Sequence, residues 1–359
     1  MLHVQKTKSH KEQKEATTRI FVVVPTIRQE SILRFLDEWK DIFKKNEVVL
    51  VVVEDNPVKA FGIDDKKLDF NVLHLSWADI ENDLGLDNWI IPRRSSSIKS
   101  YGFWKAYQLG ADMIISLDDD CYPSLNYSAH LKAHHIYDLV ETHRHNLFER
   151  KFREPAWVSS TLNLNPRGFP HKNFEHPLGS ERVMLSHGLW ANVPDVDAET
   201  QINMKEIPHI DHYFHDRMIP RWSFFPMCGM NVAWKRELTP AMYFLLMGKN
   251  AAGELWGYDR FDDIWAGVFA KKIIDVLDYR AASGHPVVWH DRASDPYVNL
   301  EKERSGLEIN ENLWQIVYEM NLSGTNVKDL YKEISSKLPH PGEYWNKIRR
   351  AMVIWADLF

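Results

Sequence analysis

The chain has 359 residues, 44% of them hydrophobic, enough for one large α/β domain with additions or for two domains. A formal charge of -6 and the lack of any long basic run argue against nucleic acid as the main partner. No apolar run of about 18 residues occurs, so no transmembrane helix is expected, and the two cysteines, Cys121 and Cys228, suit a reducing, cytoplasmic setting.

Residues 1–17 form a polar, Lys-rich tail whose composition predicts disorder. "RIFVVVPTI" (19–27) then opens the ordered chain with a β-branched apolar run, the pattern of a strand buried on both faces. "ESILRFLDEWKDIFKK" (30–45) places Ile32, Leu33, Phe35, Leu36, Trp39, Ile42 and Phe43 mostly on one helical face. "EVVLVVVEDNP" (47–57) is a second buried strand. The β-α-β order implies a right-handed crossover and a parallel sheet. A helix is predicted over "SSIKSYGFWKAYQLG" (96–110), stopped by Gly110. The strand "DMIISL" (112–117) follows, then a helix around "SAHLKAHHIYDLVETH" (128–143) and a strand at "PAWVSSTLNL" (155–164). Beyond a loop-rich stretch, order returns at "ELTPAMYFLLMG", "DDIWAGVFAKKIIDVL" and the short strand "HPVVWH". Amphipathic helices, including "VKDLYKEISSKL" and "YWNKIRRAMVIWADLF", close the chain. The expected organisation is the tail, an α/β domain over 18–305 and a helical C-terminal extension over 306–359 packed on it.

The strand at 112–117 runs directly into Asp118, Asp119 and Asp120. Three carboxylates this close raise one another's pKa. A solvated turn or helix start tolerates the crowding, whereas a divalent cation removes it, since carboxylates are hard oxygen ligands suited to Mg²⁺ or Mn²⁺. Open α/β sheets bind ligands outside the carboxyl ends of their strands. Asp55 and the Asp triplet both lie at such ends, which favours a metal-dependent nucleotide crevice.

The stretch "RRSSSIKSYGFWKAYQLGADMIISLDDD" resembles the nucleotide-sugar core of GT-A glycosyltransferases, with Asp118 and Asp120 as the outer acids of an Asp-x-Asp motif. "PTIR", "SLDDDC", "SHGLWANVPDVDAETQ", "FPMCGMNVAW", "PAMYFLLMG", "DDIWAG" and "HDRASDPYVNLEKE" occur in this order. Together they are similar to the reversibly glycosylated polypeptide family, which includes UDP-arabinopyranose mutases, over roughly residues 19–359. The resemblance implies a GT-A-like, mostly parallel sheet flanked by helices. It also implies an enzyme that interconverts the pyranose and furanose forms of a UDP-linked sugar.

On that resemblance Arg167, in "NPRGFP", is the arginine that becomes reversibly glycosylated. The family's second arginine, seven residues on, is replaced by Phe174; either nearby Lys172 takes its role, or the sugar and its contacts differ. Asp118, Asp120 and His290 are the expected ligands of a Mn²⁺ or Mg²⁺ cofactor. Arg94 and Lys99 are expected on the diphosphate, and Thr26, Arg28 and Asp55 on the uridine end. Asp119, His187, Trp190 and Asn231, inside the matched segments, complete the substrate-binding set. Of Asp262 and Asp263, one caps a helix and the other faces the sugar as an acid, base or hydroxyl contact. The run "HIDHYFHD" reads as a solvated or oligomer-contact face, which leaves a homo-oligomer open. Neither cysteine is given a catalytic role, and no G-x-G-x-x-G loop marks a redox cofactor. The rivals are a metal-dependent glycosyltransferase using a UDP-sugar donor and a non-catalytic nucleotide-binding member of the family.

Overall fold

The computed structural model describes residues 18–63, 67–126, 135–136, 138–149, 182–193, 195–203, 217–291 and 294–359. Its strands are β1 (Ile20–Thr26), β2 (Val49–Glu54), β3 (Asn71–Leu75), β4 (Met113–Leu117), β5 (Cys121–Pro123), β6 (Leu125–Asn126), β7 (His135–Ile136), β8 (Val183–Asn192), β9 (Arg217–Met218), β10 (Asn231–Lys235) and β11 (Arg280–His290). The helices are α1 (Gln29–Lys45), α2 (Trp77–Leu84), α3 (Lys99–Gln108), α4 (Leu139–Arg144), α5 (Ala198–Asn203), α6 (Asp262–Val276), α7 (Pro296–Glu303), α8 (Leu307–Glu319), α9 (Val327–Lys337) and α10 (Glu343–Asp357).

Nine strands form one sheet in the order β3-β2-β1-β4-β10-β8-β11-β5, with β9 also on β11. β3, β2, β1 and β4 pair in parallel. β10 runs antiparallel to both β4 and β8, and β8 is parallel to β11. Two reversals cancel, so β8 and β11 point the same way as β1. The carboxyl ends of six strands therefore share one edge, and β10 begins there. This is the mostly parallel α/β sheet that the apolar runs imply.

Burial explains why these segments became these elements. β1, β2 and β4 present Val22, Val23, Val51, Val52, Ile114 and Ile115 with 0% exposure, as strands covered on both faces must. On one face α1 buries Ile32, Phe35, Leu36, Trp39, Ile42 and Phe43, and the Trp39 indole N–H donates to the Cys121 carbonyl at 2.9 Å. On the other face α3 lies so close that a Cβ at Gly102 would sit 2.4 Å from Val23 Cγ1. α6 and the C-terminal helices share that second core. Trp265 stacks on Trp345 with ring centroids 5.7 Å apart, and Trp355 stacks on Tyr243 at 5.2 Å.

Of the expected helix over 128–143, residues 128–134 and 137 lie outside the described residues, as does the strand expected at 155–164. The segment 128–143 carries the short strand β7, and α4 starts only after Asp138, whose carboxylate accepts from the Glu141 N–H at 3.0 Å. That carboxylate is the N-cap that fixes where α4 begins. Among the described residues, no helix is long and apolar enough to cross a membrane.

Candidate active site

The shared edge of strand ends opens into a cavity of about 1020 Å³. Thr26 and Arg28 from the end of β1, Asp55 after β2, Asp118 to Asp120 after β4 and His290 ending β11 all line it. Arg94, Lys99, His187, Trp190, Asp262 and Asp263 line it too. The topology has drawn together side chains up to about 260 positions apart, as strand carboxyl ends do in open α/β sheets.

The acidic triplet divides its labour. Asp119 is 4% exposed. It accepts from Thr26 Oγ1 at 2.8 Å and from the Arg28 guanidinium, so it binds the end of β1 to the end of β4. Burial raises its pKa, and the bonds from Arg28 and Thr26 oppose that rise. Its neighbours are more open, with side-chain exposures of 31% for Asp118 and 16% for Asp120. Arg28 also lies 3.7 Å from Asp120.

Lys99 is 1% exposed at the start of α3. Its ammonium donates to Asp118 Oδ1, to Gly229 O at 2.9 Å and to Ser116 Oγ at 3.2 Å. Burial alone would lower its pKa, but the Asp118 charge and hydrogen bond hold it raised. Lys99 thus stays charged and ties β4 to the loop before β10.

Toward the β2 side, Asp55 is 4% exposed and accepts from the Trp77 indole N–H at 2.7 Å. Burial raises its pKa. Arg94, with φ of 57°, stands over the Trp77 ring at 5.3 Å. On the opposite side, His187 has its pKa lowered by burial to about 4 and is neutral. Its Nε2 accepts from the Cys228 N–H at 3.2 Å, which assigns the proton to Nδ1, beside Ser283 Oγ at 3.0 Å. Among the described residues, the buried Trp190 indole N–H has no hydrogen-bond partner.

The adjacent acids of α6 separate cleanly, because successive helical residues point about 100° apart. Asp262 accepts from Ser96 Oγ at 2.8 Å and Ser97 Oγ at 2.9 Å, so it holds the turn that carries Arg94. Asp263 Oδ2 accepts from the Gly229 N–H at 2.7 Å. Burial, then the Asp262 charge, push its pKa up to about 7.

Asn231 does not line the cavity and is corrected from substrate contact to internal strut. It is 1% exposed, its amide donates to Leu189 O at 2.9 Å and Pro286 O at 3.2 Å, and its Oδ1 faces His143 Nε2 at 2.9 Å. Arg167 and Lys172, with the "HIDHYFHD" histidines, lie outside the described residues. Sequence reasoning passed over Asp195, Arg260 and Glu303, which also line the cavity. Asp195 lies within a quoted family match, but a lone loop acid carries no spacing signal.

The donor chemistry fits a divalent cation. Asp118 and Asp120 offer hard oxygens, and the His290 Nδ1–H donates to Val193 O at 2.8 Å, which leaves Nε2 as the lone-pair nitrogen. Asp291 N bonds Asp120 O at 3.0 Å, so the end of β11 lies against the triplet. Among the described residues, no three acid, histidine or cysteine side chains are already gathered as a cage.

The "Probable UDP-arabinopyranose mutase 1" of Pisum sativum is 33% identical to this chain over 349 residues, covering 94% of this chain and 89% of its own. The "UDP-arabinopyranose mutase 1" of Arabidopsis thaliana is 31% identical over 350 residues, covering 94% and 90%. Among solved structures, glucosyl-3-phosphoglycerate synthase from Mycobacterium tuberculosis, in complex with phosphoglyceric acid, aligns with a TM-score of 0.41 and 12% identity, covering 83% of this chain and 80% of the other. The model of the reversibly glycosylated polypeptide family matches residues 16–359, taking in every strand end that builds the crevice, and the chain belongs to that family.

Proposed function

We propose that this protein is a mutase that interconverts the pyranose and furanose forms of a UDP-sugar, UDP-arabinose or one like it. The observation that carries the reading is the near full-length similarity to proteins named UDP-arabinopyranose mutase. It is joined to a crevice with a diacid on one strand end and a buried aromatic–acid pair on another.

The residues take the following roles. Asp55, with Trp77 and Arg94 beside it, receives the base end. Lys99 brings positive charge to the diphosphate, and so does Arg28, which lies against the acidic triplet and takes the place expected for Arg94, while Arg94 over Trp77 takes the uridine end expected for Arg28; Asp119 aims Arg28. Asp118, Asp120 and His290 would hold a divalent ion, Mn²⁺ or Mg²⁺, which when bound offsets the charge that gathers on departing UDP. Asp263 faces the sugar. Arg167 takes the anomeric carbon through a guanidinium nitrogen as the bond to UDP breaks, and gives it back after the ring has reclosed through another hydroxyl. A guanidinium is a poor nucleophile while protonated, so this step needs a neighbouring carboxylate to take its proton.

The test is incubation of the purified protein with UDP-arabinopyranose and Mn²⁺ or Mg²⁺, with products resolved by chromatography and their ring form read by NMR. A ring isomer of unchanged mass, absent with Arg167→Ala, is the expected result. Free UDP with an acceptor-linked sugar would mark a glycosyltransferase instead, and tight UDP binding with no turnover would mark a non-catalytic protein.

A further inference from the structure

The loop 225–230 lines the crevice. Along it, Gly229 bonds in two directions through its two flanking peptides. Its carbonyl accepts from Lys99 and Ser116 on the Asp118 side, and its N–H donates to Asp263 on the other. One residue earlier, the Cys228 thiol donates to Asp195 Oδ2 at 2.7 Å. Two carboxylates therefore hang from consecutive residues of one loop, one peptide away from the proposed diphosphate site. Both line the cavity.

Their placement is enforced from outside. Glu303, 7% exposed, accepts from Arg260 Nε at 2.9 Å and from the Ala198 N–H at 2.9 Å. This pins the strap 195–198 at the start of α5 and holds Arg260, whose charge is felt by both Asp195 and Asp263. Arg260 has a φ of 67°, a left-handed conformation that a non-glycine residue keeps only where its surroundings fix it. Each carboxylate keeps acceptor capacity beyond the bonds it already makes.

Resting on the mutase reading, we propose that Asp195 is a further catalytic residue and works with Asp263 as the acid–base pair of ring interconversion. Contracting a six-membered ring breaks the bond from the anomeric carbon to the old ring oxygen, which must gain a proton. A new bond forms from that carbon to a former hydroxyl, which must lose one. Nothing is oxidised or reduced. Asp263 gives the first proton and Asp195 takes the second, so the pair holds one proton before and after. The reverse reaction uses the same groups in the opposite sense.

Among the described residues, the charged and titratable groups around Asp263 are Asp262, Asp195, Lys99, Arg260 and Cys228. Burial and the Asp262 charge keep it protonated up to about pH 7. A donor with this property loses its proton above neutrality, so kcat/KM is expected to fall as pH rises past about 7.

The experiment compares wild type, Asp195→Asn, Asp263→Asn and the double variant for UDP affinity by calorimetry, for isomerisation of UDP-arabinopyranose and for its pH profile. Asp195→Asn is expected to lower kcat by about 100-fold or more, the usual span for a lost acid or base, with UDP affinity within about twofold. The double variant should be little worse than either single one, because the two act as a unit. A kcat for Asp195→Asn within about threefold of wild type overturns the pair. The wild-type profile decides even if that variant fails to fold, since a kcat/KM that stays flat from about pH 6 to 9 overturns it equally. Failure of the wild type to isomerise any UDP-sugar, with UDP still bound, overturns the mutase reading itself and the pair with it.

Discussion

Replacing Asp263 with asparagine should stabilise the protein at neutral pH and leave it inactive. The unfolded carboxyl ionises near its ordinary value of 3.8, whereas the folded one holds its proton up to about 7. The native state therefore binds more protons than the unfolded state across that window, and stability falls as pH rises through it. At roughly 1.4 kcal/mol per pH unit, the full effect approaches about 4 kcal/mol. Because Asp262 and Asp263 titrate as neighbours, that figure belongs to the pair, and the single variant is expected to recover about 2 to 4 kcal/mol. The assay is urea unfolding of both proteins from pH 4 to 8. The stability difference in favour of Asp263→Asn should grow from about pH 4 to 7 and then level off. A difference that stays constant across this range would refute the reasoning, since it would mean that Asp263 ionises in the folded protein as it does in water.

Other perturbations probe other parts of the crevice. Lys99→Met removes the ammonium that Asp118, Ser116 and Gly229 share; unfolding should show a loss of about 3 kcal/mol, typical of breaking a buried pair, and calorimetry a UDP affinity weaker by at least tenfold. Asp262→Ala strips the acceptor from Ser96 and Ser97 and loosens the turn bearing Arg94, so steady-state kinetics should show KM for the UDP-sugar rising more than kcat falls; an unchanged KM would contradict that role. Gly267→Ala would place a Cβ 2.3 Å from Met227 Cβ, under the loop that carries Gly229; overpacking there should cost about 1 to 3 kcal/mol in urea unfolding and lower activity as well.

The framework of the crevice was legible because buried parallel strands have a loud signature. The β-branched runs of β1, β2 and β4, the stripe on α1 and the stop at Gly110 each follow from local physics. The Asp triplet at the end of β4 could be placed at a ligand edge from strand order alone. Division of labour among neighbours was not legible. Nothing in "DDIWAG" says that Asp262 turns to Ser96 and Ser97 while Asp263 turns to the Gly229 N–H; that depends on which side of α6 meets which loop. Asn231 and His187 lie in matched segments, yet Asn231 bonds to internal backbone and His187 props the 228 peptide. The strap 195–198 carries no periodicity, so Asp195 acquires meaning only from its contacts with Cys228 and, through Ala198, with Glu303.

A crystal structure of the protein with UDP and Mn²⁺ would show directly whether the crevice holds the nucleotide in this way. The base end is expected beside Asp55 and Trp77, the diphosphate within reach of Arg28 and Lys99, and the ion on Asp118, Asp120 and His290, with the sugar side toward Asp263 and Asp195 left open. UDP seated away from the carboxyl ends of β1, β2 and β4, or an ion held without Asp118 and Asp120, would contradict this arrangement.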